Sequence, residues 1–334
     1  MSPPTSPPTS PSAASVLRAK IVAWCTNQTS AASVYGDISG WDVSQVTDMA
    51  GLFSPSGGFP AGTFWPEAGV LATCNPDIGP WDVSSVVNME SMFYGAEAFN
   101  QELGGWDVSS VVDMKFMFYA ALAFNHNLSG WDVSSVVNME GMFDGAEAFN
   151  QELSGWDVSS VVNMEEMFRS ANVFNQDLSG WDVSSVVDMT AMFSYAEAFN
   201  QELSGWNVSA VLNMGYMFYD AVAFNKPLSG WDVSSVTNMV GMFWGAKVFN
   251  QELSGWNVSS VANMEYMFYD ASDFYQNLSA WQVDSLALTE GLFGPSSKMC
   301  DLPANDDYWP PLVASRDDDG DSPCVCRFGD PPPC

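Results

Sequence analysis

The chain has 334 residues, of which 47% are hydrophobic, and its 40 acidic residues against 9 lysines and arginines give a net charge of −31. This charge excludes nucleic acid as a partner, because phosphate binding needs clustered lysine and arginine, and it disfavours anionic membrane surfaces. The sequence contains no apolar run of about 18 residues, so no direct membrane insertion is expected.

The N-terminal residues predict a linker followed by a cap. Residues 1–13 are rich in Pro, Ser and Thr and lack the apolar core of a signal peptide, which is typical of a linker. Residues 14–36 are predicted to form an N-terminal cap that contains an amphipathic helix from Ala14 to Cys25. We interpret the chain as part of a larger secreted or surface protein. The apolar residues of the helix are Val16, Leu17, Ile21 and Trp24.

Residues 37–293 are predicted to form a repeat solenoid, because a fixed period of this kind is typical of stacked supersecondary units. Its tryptophans recur every 25 residues once an insertion at 54–70 is set aside. Counted from the tryptophan as position 1, the unit is W-D-V-S-S-V-V-N-M-x-x-M-F-x-x-A-x-x-F-N-Q-x-L-S-G. The periodic tryptophans are Trp41, Trp81, Trp106, Trp131, Trp156, Trp181, Trp206, Trp231, Trp256 and Trp281.

Each unit is predicted to contain one short strand and one short helix. Trp131 and Val133 flank Asp132, an alternation that indicates a strand. From Met139 the apolar residues fall at i, i+3, i+4 and i+7, and Asn138 stands where an N-cap would begin a helix. The predicted fold is therefore an α/β repeat solenoid with about ten 25-residue turns, a parallel strand face, short helices opposite and disulfide-closed caps.

The unit resembles known repeat families over residues 34–293. L-S-G-W-D-V-S-S-V fits the L-x-x-L-x-L core of leucine-rich repeats, and M-F-x-x-A-x-x-F resembles the A-F-x-x-C-x-x-L half of the BspA-like class. The whole unit is still more similar to the Mycoplasma-type repeat of unknown function, F-N-Q-x-L-S-x-W-D-V-S-x-V-x-N-M-x-x-M-F. The BspA-like resemblance implies adhesion or another cell-surface interaction. The asparagine that recurs at position 20 is predicted to form a ladder that satisfies backbone groups.

The six cysteines lie only at the two ends of the chain. Cys25 with Cys74 is the simplest N-terminal pair, and the four C-terminal cysteines allow three pairings within a cap and acidic tail at 294–334. Zinc is the weaker alternative, because Cys324 and Cys326 lack the spacing of a finger and His126 is remote. Disulfides indicate an oxidising compartment, so we expect a secreted or cell-surface protein. The C-terminal cysteines are Cys300, Cys324, Cys326 and Cys334.

Position 2 of the repeat predicts an acidic row on the strand face. Neighbouring carboxylates repel, and either solvent with hydrogen bonds from the position-4 serines, such as Ser134 to Asp132, or bridging Ca²⁺ would relieve this repulsion. No other cofactor is expected. The acidic run 317–321 allows the same two interpretations, a solvated loop or a calcium ligand. The row consists of Asp82, Asp107, Asp132, Asp157, Asp182 and Asp232.

An aromatic row and a set of glycosylation triplets complete the candidate sites. Packing between adjacent turns explains most of the row, and a contact strip for a glycan or a protein is the functional alternative. The row consists of Tyr94, Tyr119, Tyr219, Trp244 and Tyr269 at position 14, joined by Phe116, Tyr216 and Tyr266 at position 11. The triplets, which a repeat rich in Asn and Ser also produces by chance, begin at Asn27, Asn127, Asn207, Asn257 and Asn277.

The functional hypothesis is a non-enzymatic recognition or adhesion module that binds a protein or a glycan. One histidine cannot assemble a repeated Ser-His-Asp or Cys-His site, and the acidic rows face solvent without a pocket that would tune them. The alternative is a structural building block of a cell covering or filament that self-associates, with calcium assisting its assembly. Near-identical repeats favour this alternative, whereas a polysaccharide-cleaving β-helix enzyme has little support.

Overall fold

The computed structural model describes residues 12–55, 68–294 and 296–301, and its helices lie at the ends of the repeat array and in the insertion. Helix α1 spans Ala13–Thr26, α2 spans Gln28–Tyr35 and α3 spans Ala68–Ala72, with short 3₁₀ helices at Ile38–Gly40 and Lys298–Asp301. None of the described helices is long and apolar enough to cross a membrane.

Helix α1 is the predicted amphipathic helix, with boundaries one residue wider at each end. Ser12 caps it by accepting a hydrogen bond from the Ser15 N–H, the arrangement that serine favours at an N-cap. Its buried face carries Leu17, Ile21 and Trp24, whereas Val16 is 44% exposed.

Within residues 75–294, the repeats contain neither the predicted strands nor the predicted helices. Successive units share isolated parallel bridges, one at position 8 of each repeat, as between Asn138 and Asn163, with one further bridge between Phe268 and Phe293. No described segment there forms a longer strand or a helix. The prediction of an α/β fold with a parallel strand face and helices opposite is therefore wrong.

Two left-handed residues in each repeat prevent the helix. From Ser91 to Asp270, positions 11 and 15 have positive φ in every repeat, as at Gly141 (+56°) and Gly145 (+68°), whereas an α-helix needs φ near −63°. The chain instead makes tight turns, one closed by the Met142 N–H to the Met139 carbonyl at 3.2 Å. The i, i+3, i+4, i+7 spacing thus arises from consecutive turns that bring the same residues inward.

A side-chain-capped turn replaces the predicted strand. Oδ1 of Asp132 accepts hydrogen bonds from the Ser134 backbone N–H at 3.1 Å and from its hydroxyl at 2.6 Å. Aspartate favours such local turns because its carboxylate competes with regular backbone pairing. The apolar residues on either side of Asp132 still point inward, which is why their spacing is that of a strand.

Adjacent repeats are joined by regularly spaced backbone hydrogen bonds. N–H groups at positions 9, 11, 13 and 15 donate to carbonyls at positions 8, 10, 12 and 14 of the next repeat, as from Gly141 to Glu165 at 2.7 Å and from Gly145 to Arg169 at 2.8 Å. Every second amide thus bonds sideways while intervening amides close turns. Equivalent residues of consecutive repeats consequently lie side by side.

The core consists of aromatic ladders that run through the stacked repeats. The rings of Trp131 and Trp156 are 6.3 Å apart and within 2° of parallel, and those of Phe118 and Phe143 are 5.6 Å apart and within 3°. The indole N–H of Trp131 donates to the Leu103 carbonyl at 2.9 Å. This bond satisfies the one polar group of a buried indole.

The predicted asparagine ladder is present at position 20. Oδ1 of Asn125 accepts the backbone N–H of Asn150 at 3.0 Å, and the Gln151 amide donates to the Asn125 carbonyl at 3.0 Å. The same bond between position-20 residues recurs from Asn75 to Tyr275. The ladder satisfies backbone groups at a bend where no regular structure does so.

The N-terminal cap covers the first repeat and is cross-linked to it. Cys25 of α1 forms a disulfide with Cys74, with their Cα atoms 5.5 Å apart. The Arg18 guanidinium donates to the carbonyls of Gly51, Leu52 and Ser54, which belong to the outer edge of the first repeat. The carbonyls of Leu52 and Ser54 stand at positions 12 and 14, which in later repeats accept hydrogen bonds from the preceding repeat, so the cap takes the place of a preceding repeat.

Several predictions lie outside the described residues. They are almost all of the linker at 1–13, most of the insertion at 54–70, the acidic run at 317–321, and the cysteines Cys324, Cys326 and Cys334. Cys300 lies in the 3₁₀ helix Lys298–Asp301.

Candidate functional site

The acidic row lies on exposed turns. All six carboxylates are exposed, and their Oδ1 atoms accept the backbone N–H of the serine two residues later, as in Asp182 to Ser184 at 3.0 Å. The hydroxyl and N–H of Ser134 lower the pKa of Asp132, because they stabilise its charged form. Within the described part of the chain, no group of three or more His, Cys, Asp or Glu side chains is placed to hold a metal ion.

Four of the five glycosylation triplets also lie on exposed turns, and the fifth, at Asn27, lies at the start of helix α2. Oδ1 of the asparagine accepts the backbone N–H of the triplet's serine at Asn127, Asn207, Asn257 and Asn277. Asn27 is the N-cap of α2 and accepts the Ser30 N–H at 3.0 Å.

The aromatic row is divided into two clusters. In the N-terminal cluster, the rings of Tyr94 and Tyr119 stack at 4.4 Å and within 5° of parallel, and Phe116 meets Tyr119 edge-on at 5.7 Å. Between the two clusters, position 14 is occupied by Asp144, Arg169 and Ser194.

The C-terminal cluster has tilted rather than parallel rings. Tyr219 is 5.0 Å from Tyr195 at 65° and 5.4 Å from Trp244 at 58°, and Trp244 continues the contact to Tyr269 at 5.0 Å. Tyr195 and Tyr216 retain 39% and 37% of their surface, so this cluster presents aromatic faces to solvent.

Position 11 explains how the ring of Tyr216 is held. A methyl group on Gly241, the equivalent residue of the next repeat, would lie 2.6 Å from Cδ1 and Cε1 of that ring. Phe116 has the same relation to Gly141, at 2.3 and 2.4 Å. An aromatic residue at position 11 therefore needs glycine at position 11 of the following repeat.

A groove of about 380 Å³ adjoins the C-terminal cluster. Ala191 at position 11 and Ser194 at position 14 are buried and small, whereas the equivalent residues on either side are large. The groove forms because these two small residues leave a gap in the rows of side chains at positions 11 and 14. Tyrosines lie on one side of the gap and charged residues on the other. Its lining residues are Glu166, Arg169, Thr190, Ala191, Ser194, Tyr195, Tyr216, Tyr219 and Trp244.

The charged side of the groove contains one cation between two carboxyl groups. Nη1 of Arg169 is 2.8 Å from Oε1 of Glu166 and 3.6 Å from Oδ2 of Asp144. The Asp144 side chain is 6% exposed, and its Oδ2 has no hydrogen-bond partner. Burial raises the pKa of Asp144 to about 7, with Arg169 opposing the shift.

The sequence matches one protein family over most of its length. The family described as "Mycoplasma protein of unknown function, DUF285" matches residues 20–63, 67–171, 149–239 and 203–305. The chain belongs to the DUF285 family. This membership confirms the predicted Mycoplasma-type repeat, but not the assignment to BspA-like leucine-rich repeats. A comparison with curated proteins finds no match to this chain.

The DUF285 matches extend across the groove, and the sequence carried a signal for it that the prediction missed. The aromatic row is interrupted at position 14 by Asp144, Arg169 and Ser194. Of these, Arg169 lies in one wall of the groove and Ser194 in its floor. Tyr195 at position 15 has no counterpart in the predicted row, because that position has no consensus residue among the repeats. The predicted row supplied Tyr216, Tyr219 and Trp244; its other members lie outside the groove lining.

Proposed function

We propose that this chain is a non-enzymatic recognition or adhesion module that binds a glycan or a protein. The observation that carries the proposal is the groove between Arg169 and Tyr219, where the small residues Ala191 and Ser194 interrupt rows of larger side chains. Its volume of about 380 Å³ falls within the range of about 300–1,000 Å³ typical of ligand sites. Partly exposed Tyr and Trp are the residues that contribute most to recognition.

We propose that the module works outside the cell or at a cell surface. The disulfide between Cys25 and Cys74 supports this location, because disulfides persist in oxidising compartments. The net charge of −31 favours solubility and opposes binding to polyanions. The resemblance of the repeat to BspA-like surface proteins also supports a surface location. It supports it by analogy only, because function does not follow from fold alone.

Binding of the labelled protein to immobilised cell-wall polysaccharides and extracellular-matrix proteins tests the proposal. The variant is Tyr216→Gly, which removes one wall of the groove at a position where Gly141 and Gly241 already have the same positive φ. The control is Phe116→Gly, the same change in the N-terminal cluster. We expect wild type and control to bind one of these surfaces and Tyr216→Gly to lose that binding; equal binding by all three proteins would contradict the proposal.

A second candidate function is a building block that self-associates with the help of Ca²⁺. The repeated, exposed acidic row supports it, since six equivalent carboxylates lie on equivalent turns. Light scattering with millimolar Ca²⁺ and with chelator tests this candidate. Growth of particles only with Ca²⁺ would favour it, and a monomer under both conditions would exclude it.

A further inference from the structure

The charged wall of the groove offers no excess of positive charge. Arg169 is the one cationic residue in the lining, and it already contacts the carboxylates of Glu166 and Asp144. Glu165 also interacts with Glu166 and Asp188, so further carboxylates adjoin this wall. An anionic ligand would have to displace these contacts within a chain of net charge −31, which opposes its approach.

The two walls together present both apolar faces and hydrogen-bonding groups. Tyr216 and Tyr219 supply ring faces, whose negative quadrupole attracts C–H groups. Across the groove, Glu166 can accept hydrogen bonds and Arg169 can donate them. Thr190 adds a hydroxyl whose oxygen can accept, since its proton is donated to Oδ1 of Asp188 at 2.5 Å. A pyranose ring has the matching surface, with an apolar C–H face and a rim of hydroxyls.

The size of the groove favours a small ligand over a folded protein. A stable protein interface buries about 800 Å² on each partner, whereas a cleft of about 380 Å³ matches a ligand of a few rings. Beyond the groove, Trp244, Tyr266 and Tyr269 continue the aromatic surface, with ring centres 5.0 and 5.4 Å from Trp244. An extended oligomer could therefore contact more than one repeat.

We infer that the groove lined by Arg169, Tyr216 and Tyr219 binds an uncharged oligosaccharide, with sugar faces on the tyrosines and hydroxyls bonded to Glu166 and Arg169. This inference rests on the recognition function proposed above and specifies the chemical class of its ligand.

Isothermal titration with hexasaccharides tests the inference. The neutral probes are the hexamers of β-1,4-glucose, β-1,4-mannose, β-1,4-xylose and β-1,4-N-acetylglucosamine, and the acidic probe is hexagalacturonate. We expect the wild-type protein to bind at least one neutral hexamer and not the acidic one. Tyr216→Gly should weaken that binding by about tenfold or more, since it removes an aromatic face, whereas Phe116→Gly should bind as wild type does.

A second variant keeps the test independent of the tyrosine wall. Glu166→Gln retains an acceptor but removes a negative charge, so the neutral hexamer, which loses a charge-assisted bond to its hydroxyls, should bind more weakly while hexagalacturonate gains affinity. Circular dichroism establishes that each variant keeps the wild-type fold.

Three results would overturn the inference. They are failure of every neutral hexamer to bind, binding of hexagalacturonate in preference to them, and neutral binding that Tyr216→Gly leaves unchanged. After either of the first two results, the proposed recognition function would still stand if an immobilised polysaccharide or matrix protein binds the wild type and not Tyr216→Gly. If Tyr216→Gly binds that surface as wild type does, both proposals fail.

Discussion

Aromatic rings are arranged differently inside the repeat stack and on its outer face. Inside, the rings of Trp206 and Trp231 are parallel to within 1° and 2–3% exposed. On the outer face, Tyr195 meets Tyr219 at 65°, and Tyr195 is 39% exposed. Interior rings are fixed by identical neighbours above and below, whereas outer rings adapt to side chains that change from repeat to repeat. The interior thus specifies the stack, and the outer face can specialise.

Removal of an interior ring should have the largest effect. Phe168 is fully buried and lies 5.7 Å from Phe143, 5.8 Å from Phe193 and 4.1 Å from Phe174. Phe168→Ala leaves a cavity in this ladder, so we expect a loss of about 3–5 kcal/mol in the free energy of unfolding. Urea denaturation followed by circular dichroism measures it. A loss below about 1 kcal/mol would mean that the ladder is not close-packed.

A buried carboxyl group on the outer face should give a pH-dependent effect. Burial raises the pKa of Asp144 to about 7 from its ordinary value of 3.8, so the folded state binds the proton more tightly. The stabilisation that this proton provides is complete below about pH 4 and is lost as the pH rises through 7. Asp144→Asn should remove this dependence and become the more stable protein above pH 7. The free energy of unfolding of the variant minus that of wild type should be larger above pH 7 than at pH 4, by on the order of 2–4 kcal/mol.

Urea midpoints between pH 4 and 8 measure the effect of Asp144→Asn. The control is Asp132→Asn, because hydrogen bonds from Ser134 lower the pKa of that exposed carboxyl and its contribution is lost as the pH falls. The two variants should therefore diverge from wild type in opposite directions. Parallel pH curves for Asp144→Asn and wild type would contradict the raised pKa.

Removal of one asparagine from the position-20 ladder should have an intermediate effect. Asn150→Ala deprives the Asn175 N–H of the acceptor that it has at 3.0 Å, and the Gln176 amide loses a partner at 2.9 Å. An unsatisfied backbone donor in a part-buried bend costs about 1–3 kcal/mol. Hydrogen exchange should show the faster opening first at residues 175 and 176. Protection at these amides equal to wild type would mean that water replaces the side chain.

The smallest effect on stability is expected for the outer-face change Tyr216→Gly. Glycine adopts the φ of +57° at this position without steric cost, and this relief offsets the contacts that the ring loses. The free energy of unfolding should change by about 1 kcal/mol or less, in contrast to Phe168→Ala. A loss similar to that of the interior variant would show that the outer ring is part of the core.

The sequence predicted the repeat, the inward-facing residues and the asparagine ladder, because a strict period makes equivalent residues share one environment. It did not predict the backbone path. Met139 and its apolar partners have helical spacing. The signal against a helix is the recurrence of glycine, which favours positive φ, at positions 11 and 15 of two repeats: Gly141 and Gly145, and Gly241 and Gly245. Eleven of these left-handed positions from Ser91 to Asp270 hold residues other than glycine. The glycine pattern is therefore hidden in most repeats.

The candidate site was less predictable than the fold, for a related reason. A consensus describes what the repeats share, whereas the groove comes from residues that depart from it. Ala191 and Ser194 are unremarkable in isolation, and their effect depends on large neighbours one repeat away. The buried state of Asp144 depends in the same way on the repeats on both sides. Such properties belong to neighbouring repeats together and cannot be read from one unit.

The sideways hydrogen bonds constrain how a chain of this kind can change its length. The N–H groups at positions 9, 11, 13 and 15 of a unit bond to carbonyls 24 residues further along the chain. Duplication or loss of a whole unit would leave each of these hydrogen bonds intact, whereas a gain or loss of one residue would shift the donors out of register with their acceptors. The length of this architecture can therefore change only by whole repeats. Each added repeat also adds outer-face residues that can carry a new binding specificity.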